Sequence, residues 1–424
     1  MEKAVQLLDR YFSGPAVKLA EQRHLQAVRN GVISALPFII VGSFFLIVAF
    51  PPVPEGSAIA RWAEEHVREI LIPYRLTMFI MSLYIVYGIG YNLAKSYRID
   101  PLAGAQISAA AFLLTIVPQT IDGVGEVLPM TNLGGRGLFV AILTSIVAVE
   151  ILRFCKRKNW TIKMPEQVPP ALIRSFEALI PVAITVLLMT LITVVFRIDL
   201  HGVIGKLVSP LVTVGDSLPG VLVPVFLITF FWSLGIHGDS IVGTIARPLW
   251  EVFLANNAEA VVAGEAIPHA APETFFQWFV WIGGSGATFG LVICMLFFAR
   301  TKYSKTLGKT ALAPSIFNIN EPVIFGVPIM LNPIMIIPFV VTPLVTSTLS
   351  YFATVLGLVT PTYIMPPWTL PAPIGAYLAT GGDWRAVVLV VVNVAISFVI
   401  YYPFFRMHER KLIEEEEAEQ RIGA

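Results

Sequence analysis

The chain has 424 residues, 56% of them hydrophobic and only 13% charged, and its mean hydropathy is +0.76. That composition describes an integral membrane protein. With 29 Lys and Arg against 28 Asp and Glu, the net charge of +1 gives no basis for a nucleic-acid or other strongly charged partner. The two cysteines, Cys155 and Cys294, are far apart and lack a CxxC motif or a nearby histidine, so neither a disulfide nor a metal framework is expected.

In chain order, the first 28 residues are charged, with Val5, Leu8 and Phe12 at helical spacing. They read as an amphipathic segment on the membrane surface rather than a cleavable signal. Apolar stretches long enough to cross a bilayer follow at 29–50, 74–94, 101–118, 137–154, 172–196, 220–236, 276–299, 331–358 and 385–406. Regions 237–275 and 314–330 are mixed in character and read as re-entrant, and 360–382 is apolar but proline-rich. The expectation is an all-α polytopic membrane protein with about ten transmembrane helices plus re-entrant hairpins.

Loop charge sets orientation, because Lys and Arg excess stays in the cytoplasm. One basic loop holds Arg153, Lys156, Arg157, Lys158, Lys163 and Arg174, and a second holds Arg300, Lys302, Lys305 and Lys309. Arg406, Arg410 and Lys411 flank the last span, and Lys95 with Arg98 make a weaker cluster. Loops 51–73 and 119–136 are acidic or neutral. Both termini then face the cytoplasm, provided 237–275 contributes one net crossing. Residues 1–198 carry five plain spans, whereas 199–424 carry the broken, Gly/Pro-rich and polar segments. The first half reads as a plain scaffold and the second, with its discontinuous helices around polar groups, as the body that carries the site past it.

The polar group with most to explain is Asn318-Ile319-Asn320-Glu321-Pro322, set inside an apolar run. A carboxylate at bilayer depth costs roughly 2.5–3.5 kcal/mol on insertion scales, so it is seldom carried without a use. Prolines at 314, 322, 328, 333, 338 and 343 forbid one continuous helix here. Non-helical backbone at that depth survives where it is buried in protein or lines a cavity. Glu321 therefore faces a site for something polar and uncharged, or for a proton.

The second polar group is Trp232-Ser233-Leu234-Gly235-Ile236-His237-Gly238-Asp239-Ser240. His237 is either a buried histidine satisfied by backbone or a group that contacts substrate or handles a proton. With Glu321 it can orient a sugar hydroxyl and accept its proton. Tryptophans of membrane proteins mostly belong to the interfacial belt. Trp232, next to the histidine, and Trp368, in Pro366-Pro367-Trp368-Thr369-Leu370-Pro371, also suit the apolar face of a pyranose. Asn256 and Asn257 stand in an acidic stretch, and Arg136 in Leu133-Gly134-Gly135-Arg136-Gly137 is an anchor or a gate at the fourth span. The tail Glu414–Glu417 reads as a solvated helix end. No P-loop, nucleotide fingerprint or zinc motif occurs, so ATP hydrolysis on this chain is not expected.

These segments together resemble the membrane (IIC) component of lactose/cellobiose/chitobiose-type sugar phosphotransferase systems. The resemblance rests on "GIHG" at 235–238, "NINEPVIFGVPIMLN" at 318–332, Leu133 to Glu150 and "MPEQVPPALIRSF" from Met164, and runs over essentially the whole chain. It implies a homodimeric permease of the bacterial inner membrane, embedded in lipid, with no cofactor, in which residues 1–198 would supply the dimer contact and residues 199–424 the sugar site with two re-entrant hairpins. The phosphoryl group would come from a phosphocysteine on a separate cytoplasmic IIB protein, charged through IIA, HPr and enzyme I, and no appended domain for that role is expected here. The substrate would be a β-linked disaccharide of the cellobiose or diacetylchitobiose class, with its 6-hydroxyl held for transfer. The family's sugar-contacting histidine and glutamate map onto His237 and Glu321 as catalytic residues. Trp232, Asn320 and Trp368 map onto positions lining the site. "IHGDS" departs from the family's "IHGSN", which leaves Asp239 and Ser240 without a role. The competing classes are a proton-coupled disaccharide symporter using Glu321 and His237, and an intramembrane hydrolase, for which no GxSxG or HExxH site is present.

Overall fold

The computed structural model describes residue 18 and residues 21–422, apart from 55, 163–164, 166–167 and 331. Val5, Leu8, Phe12 and Lys163 lie outside the described residues. The first helix, α1 (Arg23–Ala49), starts where the Gln22 side chain accepts the Leu25 N–H. Two short helices, α2 (Ala58–Glu65) and α3 (Val67–Arg75), lead through a 3₁₀ turn into α4 (Met81–Ser96). Asp100 and Pro101 open α5 (Pro101–Leu113), an acceptor at the cap followed by a residue whose missing N–H costs nothing there. Then come α6 (Leu138–Arg157) and α7 (Pro170–Thr190), the latter continued by a π-turn over Leu191–Val195.

Small residues let α1 and α4 press together. A Cβ on Gly31 would lie 2.4 Å from Ile89 Cγ1, and one on Gly88 2.2 Å from Ser34 Oγ. Such close approach is how membrane helices gain packing without a hydrophobic driving force.

Beyond residue 198 the helices are interrupted. The pair α8 (Leu200–Gly215) and α9 (Leu218–Ser233) bends by 76°. Next is α10 (Gly238–Ala263), then α11 (Glu273–Phe275) running into a π-turn over Phe276–Val280. After a glycine-rich turn come α12 (Phe289–Phe298), α13 (Lys302–Ile316) and the single-turn α14 (Glu321–Gly326). The long α15 (Pro333–Val355), short α16 (Ala372–Ala379) and α17 (Trp384–Ile422) complete the chain.

Six helical segments among the described residues are long and apolar enough to cross a membrane, with α3 and α4 counted as one of them, or seven if the bent pair α8–α9 is one span. The protein is membrane-integral, while the expected figure of about ten is not reached by length and composition alone. The difference lies in spans that are broken. Stretch 276–299 is interrupted at 281–288, and 101–118 is helical only to Leu113. Stretch 360–382 holds extended chain and α16 rather than a span.

The fold is also not purely α. Gln119–Ile121 and Gly125–Val127 form an exposed antiparallel two-stranded ribbon, with Gln119 opposite Val127. Asp122-Gly123, with Gly123 at φ +78°, supplies the turn chemistry that the all-α reading passed over.

The two largest of four buried clusters among the described residues hold most of the packing. One is drawn from residues 221–405 and includes Phe275, Phe276, Trp278, Phe279 and Phe339. The other combines α1, α4 and α6 residues with Val252, Leu254, Ala255 and Ala258 of α10 and with Tyr363–Met365.

Candidate functional site

The two polar segments singled out in the sequence meet in one cavity of about 670 Å³. Trp232, His237, Asn320, Glu321 and Trp368 all line it. Trp232, His237, Asn320 and Glu321 stand where a helix begins or ends, and Trp368 stands in the non-helical stretch between α15 and α16.

Trp232 occupies the last turn of α9 and is buried, its indole N–H without a partner among the described residues. Gly235 then takes φ +84°, and the chain reverses into α10. His237 is the N-cap of α10: its Nδ1 accepts the Ser240 N–H at 3.3 Å and lies 3.1 Å from Ser240 Oγ. A neutral imidazole that accepts at Nδ1 carries its hydrogen on Nε2, so a donor remains for a ligand. Its ring packs against Trp232 with centroids 4.5 Å apart. Ser240, without an assigned role from sequence, thus fixes the tautomer of His237. Asp239 is tied into the cavity wall by accepting from Ser285 Oγ at 2.7 Å.

Glu321 is the first residue of α14, exposed in the cavity, with Pro322 at the first-turn position that needs no N–H. Asn320 beside it is buried and donates to the Ser285 carbonyl at 2.5 Å and to Thr288 Oγ1 at 3.3 Å. It lines the cavity chiefly as the strut that places Glu321. Asn318, at φ +60°, accepts from Gly283 N–H at 3.1 Å and donates to the carbonyls of Trp368 and Leu370. Those bonds clip the Trp368 loop to the Glu321 loop, leaving the Trp368 ring 55% exposed at the rim.

Sequence reading missed part of the lining. Gly283 (φ +77°), Gly284 (φ +96°) and Gly286 (φ +88°) turn the chain within what reads as a plain span, and Ser285 reaches Asp239 from that turn. A Cβ on Gly284 would sit 2.4 Å from Asn320 Cγ, so only glycine admits the strut. The run Gly-Gly-Ser-Gly at 283–286 inside an apolar stretch was the available signal.

Also missed were Arg247, Glu273 and Gln277, which line the same cavity. Arg247 Nη2 lies 3.1 Å from Glu273 Oε1, while Arg247 Nε and Glu273 Oε2 have no hydrogen-bond partner among the described residues. Arg247, Glu273, Gln277 and Trp368 continue into a neighbouring cavity of about 300 Å³, bounded by Ile33, Leu36 and Ile40 of α1 and by the buried Glu251.

The resulting chamber has aromatic faces, an imidazole donor, a carboxylate acceptor and several unmatched buried polar atoms. A polyhydroxylated neutral ligand matches that set, because each hydroxyl both donates and accepts. Among the described residues there is no cluster of three or more His, Cys, Asp or Glu able to hold a metal ion.

Comparison with known proteins agrees with this chemistry. The family model "Phosphotransferase system, EIIC" matches residues 29–343. The chain belongs to the EIIC family.

It is 41% identical to the cellobiose-specific EIIC component of Geobacillus stearothermophilus, over 100% of this chain and 98% of that protein. It is 42% identical to the lichenan permease IIC component of Bacillus subtilis (strain 168), over 98% of this chain and 96% of that one. Among solved structures it superimposes on ChbC, the IIC component of the N,N'-diacetylchitobiose-specific phosphotransferase system. That match has a TM-score of 0.90 and 40% identity and covers 97% of this chain and 99% of the other. An EIIC component works on a sugar and with a cytoplasmic IIB partner, so the cavity belongs to a permease of a phosphotransferase system.

Proposed function

We propose that this chain translocates a β-linked disaccharide of the cellobiose or diacetylchitobiose class and presents its 6-hydroxyl to the phosphocysteine of a separate IIB protein. The observation that carries the reading is the convergence of Trp232, His237, Asn320, Glu321 and Trp368 on one cavity with unmatched hydrogen-bonding groups. The substrate class follows the similarity to cellobiose- and diacetylchitobiose-specific components.

In this reading Trp232 and Trp368 cover the apolar faces of the sugar rings, and His237 Nε2–H donates to a hydroxyl. Glu321 orients the 6-hydroxyl and accepts its proton as the phosphorus–sulfur bond of the IIB donor breaks and the phosphorus–oxygen bond forms. Phosphoryl transfer depends mainly on such in-line positioning and on charge stabilisation. The donor itself is recharged through IIA, HPr and enzyme I.

The proposed topology has ten crossings: α1, α4, α5, α6, α7, α9, α10, the broken segment 273–298, α15 and α17. At 1.5 Å per residue the 26-residue α10 is about 39 Å long, enough for the net crossing that the charge pattern demands. Segments 302–332 and 359–383 then re-enter from opposite sides, both termini face the cytoplasm of a bacterial inner membrane, and 1–198 forms the dimer contact.

A symporter reading has nothing beyond a carboxylate and an imidazole in one cavity. Phosphoenolpyruvate-dependent phosphorylation, measured on vesicles with the soluble components and a panel of β-disaccharides, tests the proposal. Sugar phosphate that forms only when IIB is present is the expected result. Accumulation of unmodified disaccharide driven by a proton gradient would replace the permease by the symporter.

A further inference from the structure

A second chamber, sharing no lining residue with the first, lies at the other end of α10. It has a volume of about 740 Å³ and is formed where residues 74–136 meet residues 256–269. Phe79, Met130 and Arg136 line one side and Asn256, Glu259 and Ala263 the other. Two motifs left without a role in the deeper cavity, Leu133-Gly134-Gly135-Arg136 and Asn256-Asn257, come together here.

The polar groups of this crevice are held in place. Asp216 lies 3.1 Å from His269 Nδ1 and also accepts the N–H groups of Ala270 and Ala271. Asn257 bonds both the N–H and the carbonyl of His269, whose ring stacks on Phe253 at 4.3 Å. With Nδ1–H given to Asp216, His269 Nε2 is the acceptor for Asn256 Nδ2 at 3.2 Å. The amide of Asn256 is thereby oriented, yet its Oδ1 is buried with no hydrogen-bond partner among the described residues. Glu259 Oε1 is in the same condition, and Glu259 Oε2 meets Arg136 only at 3.7 Å. Buried acceptors left unmatched are costly, and two of them in a roomy crevice mark a place for a ligand with hydroxyl donors.

The charge pattern narrows the ligand. Arg75 and Arg136 balance Glu259 and Glu265, so the crevice favours neither an anion nor a cation. Apolar surface from Phe79 and Met130 lies beside the polar groups, as the two kinds of face on a pyranose require. The volume is close to that of the deeper cavity.

Position supplies the last constraint. Arg136 sits at the opposite end of α6 from Arg153, Lys156 and Arg157, and Phe79 at the opposite end of α4 from Lys95. The crevice therefore opens on the side away from the basic loops, the outer side in the proposed topology.

We propose that this crevice is an outer docking site for a neutral oligosaccharide, occupied before the sugar reaches the cavity of His237 and Glu321. Asn256 and Glu259 accept from its hydroxyls, Arg136 donates, and Phe79 covers a ring face. From Asn256 back to Arg247, at the wall of the deeper cavity, is nine residues of α10, about 14 Å along the axis. The proposal rests on the permease reading, which the IIB-dependent phosphorylation assay judges separately with the unmodified chain.

Asn256→Ala removes the oriented amide, and Ala263→Trp fills the crevice from its exposed rim without touching buried packing. Both full-length variants are assayed with cellobiose and diacetylchitobiose in two orientations: uptake by intact cells, and phosphorylation of sugar offered with IIB to inside-out vesicles. The expected result is at least a fivefold rise in KM for uptake, with KM and kcat in inside-out vesicles unchanged. A role limited to holding the two parts of the chain together would shift both orientations alike. That outcome, or unchanged uptake in the Ala263→Trp variant, overturns the proposal.

Discussion

Glu321 and His237 occupy two different structural situations, and substitutions at them should fail differently. Glu321 begins a one-turn helix and is exposed in the cavity, so its carboxylate supports no packing. Glu321→Gln keeps the shape and removes the proposed proton acceptor, a contribution of typically 10²–10⁴-fold for a positioned acid or base. Phosphorylation should fall by roughly 10²-fold or more, with the detergent-solubilised chain as stable as before. A near-normal phosphorylation rate would remove Glu321 from the mechanism. His237 has a second duty, because its Nδ1 caps α10 through the Ser240 N–H. His237→Ala should therefore lose substrate binding and also about 1 kcal/mol of stability, the usual cost of a lost cap. His237→Asn keeps a capping acceptor and should restore the thermal midpoint but not phosphorylation. If His237→Asn phosphorylates sugar normally, the imidazole is only a cap.

At the scale of elements, the site is assembled from breaks rather than from helices. The sequence exposed those breaks where polar residues interrupt apolar ones, as with His237 between Gly235 and Gly238 or Glu321 beside Pro322. It hid them where the interruption is made of small residues: Gly283 to Gly286 do not lower hydropathy enough to split the run 276–299. It hid Arg247 and Glu273 for the opposite reason. Region 237–275 carries so many polar residues that none stands out, and their convergence depends on how α10 and α11 pack. Another break has a testable anchor. Asp383, just before α17, accepts from Thr360 N–H and Oγ1 at 2.9 Å and from Arg385 N–H at 3.0 Å, joining the return loop after α15 to the start of α17. Burial alone would raise its carboxyl, but the hydrogen bonds from Arg385 and Thr360 outweigh that and hold it below the usual carboxylate range. A carboxyl lowered on folding contributes its stability at neutral pH and loses it as pH falls through the lowered value. Asp383→Asn should lower the thermal midpoint at pH 7, and the gap between variant and parent should close in acid. A gap constant from pH 7 down to pH 3 would show that the charge of Asp383 plays no part.

For the whole molecule, a sugar site reached from opposite sides in turn requires one part of the chain to move against another. The broken helices and both polar chambers involve residues beyond 198, while α1, α4, α5 and α6 pack closely through small residues such as Gly31 and Gly88. Discontinuous helices around a site, set against a plainer bundle, are the arrangement in which one body carries substrate past the other. We propose that the region after 198 is the carrier and the region before it the fixed scaffold and dimer contact. Contacts between the two must be remade in transit, among them Arg136 with Glu259 and the packing of α1 residues Ile33, Leu36 and Ile40 near Glu251. Spin labels at Lys95 on α4 and Lys305 on α13, both exposed, report on the two parts. Within one protomer the Lys95–Lys305 distance distribution should shift when disaccharide is added. The distance between the two copies of Lys95 across the dimer should stay constant. If the inter-protomer distance shifts as much as the intra-protomer one, the fixed-scaffold account fails, and the dimer contact itself must rearrange during transport.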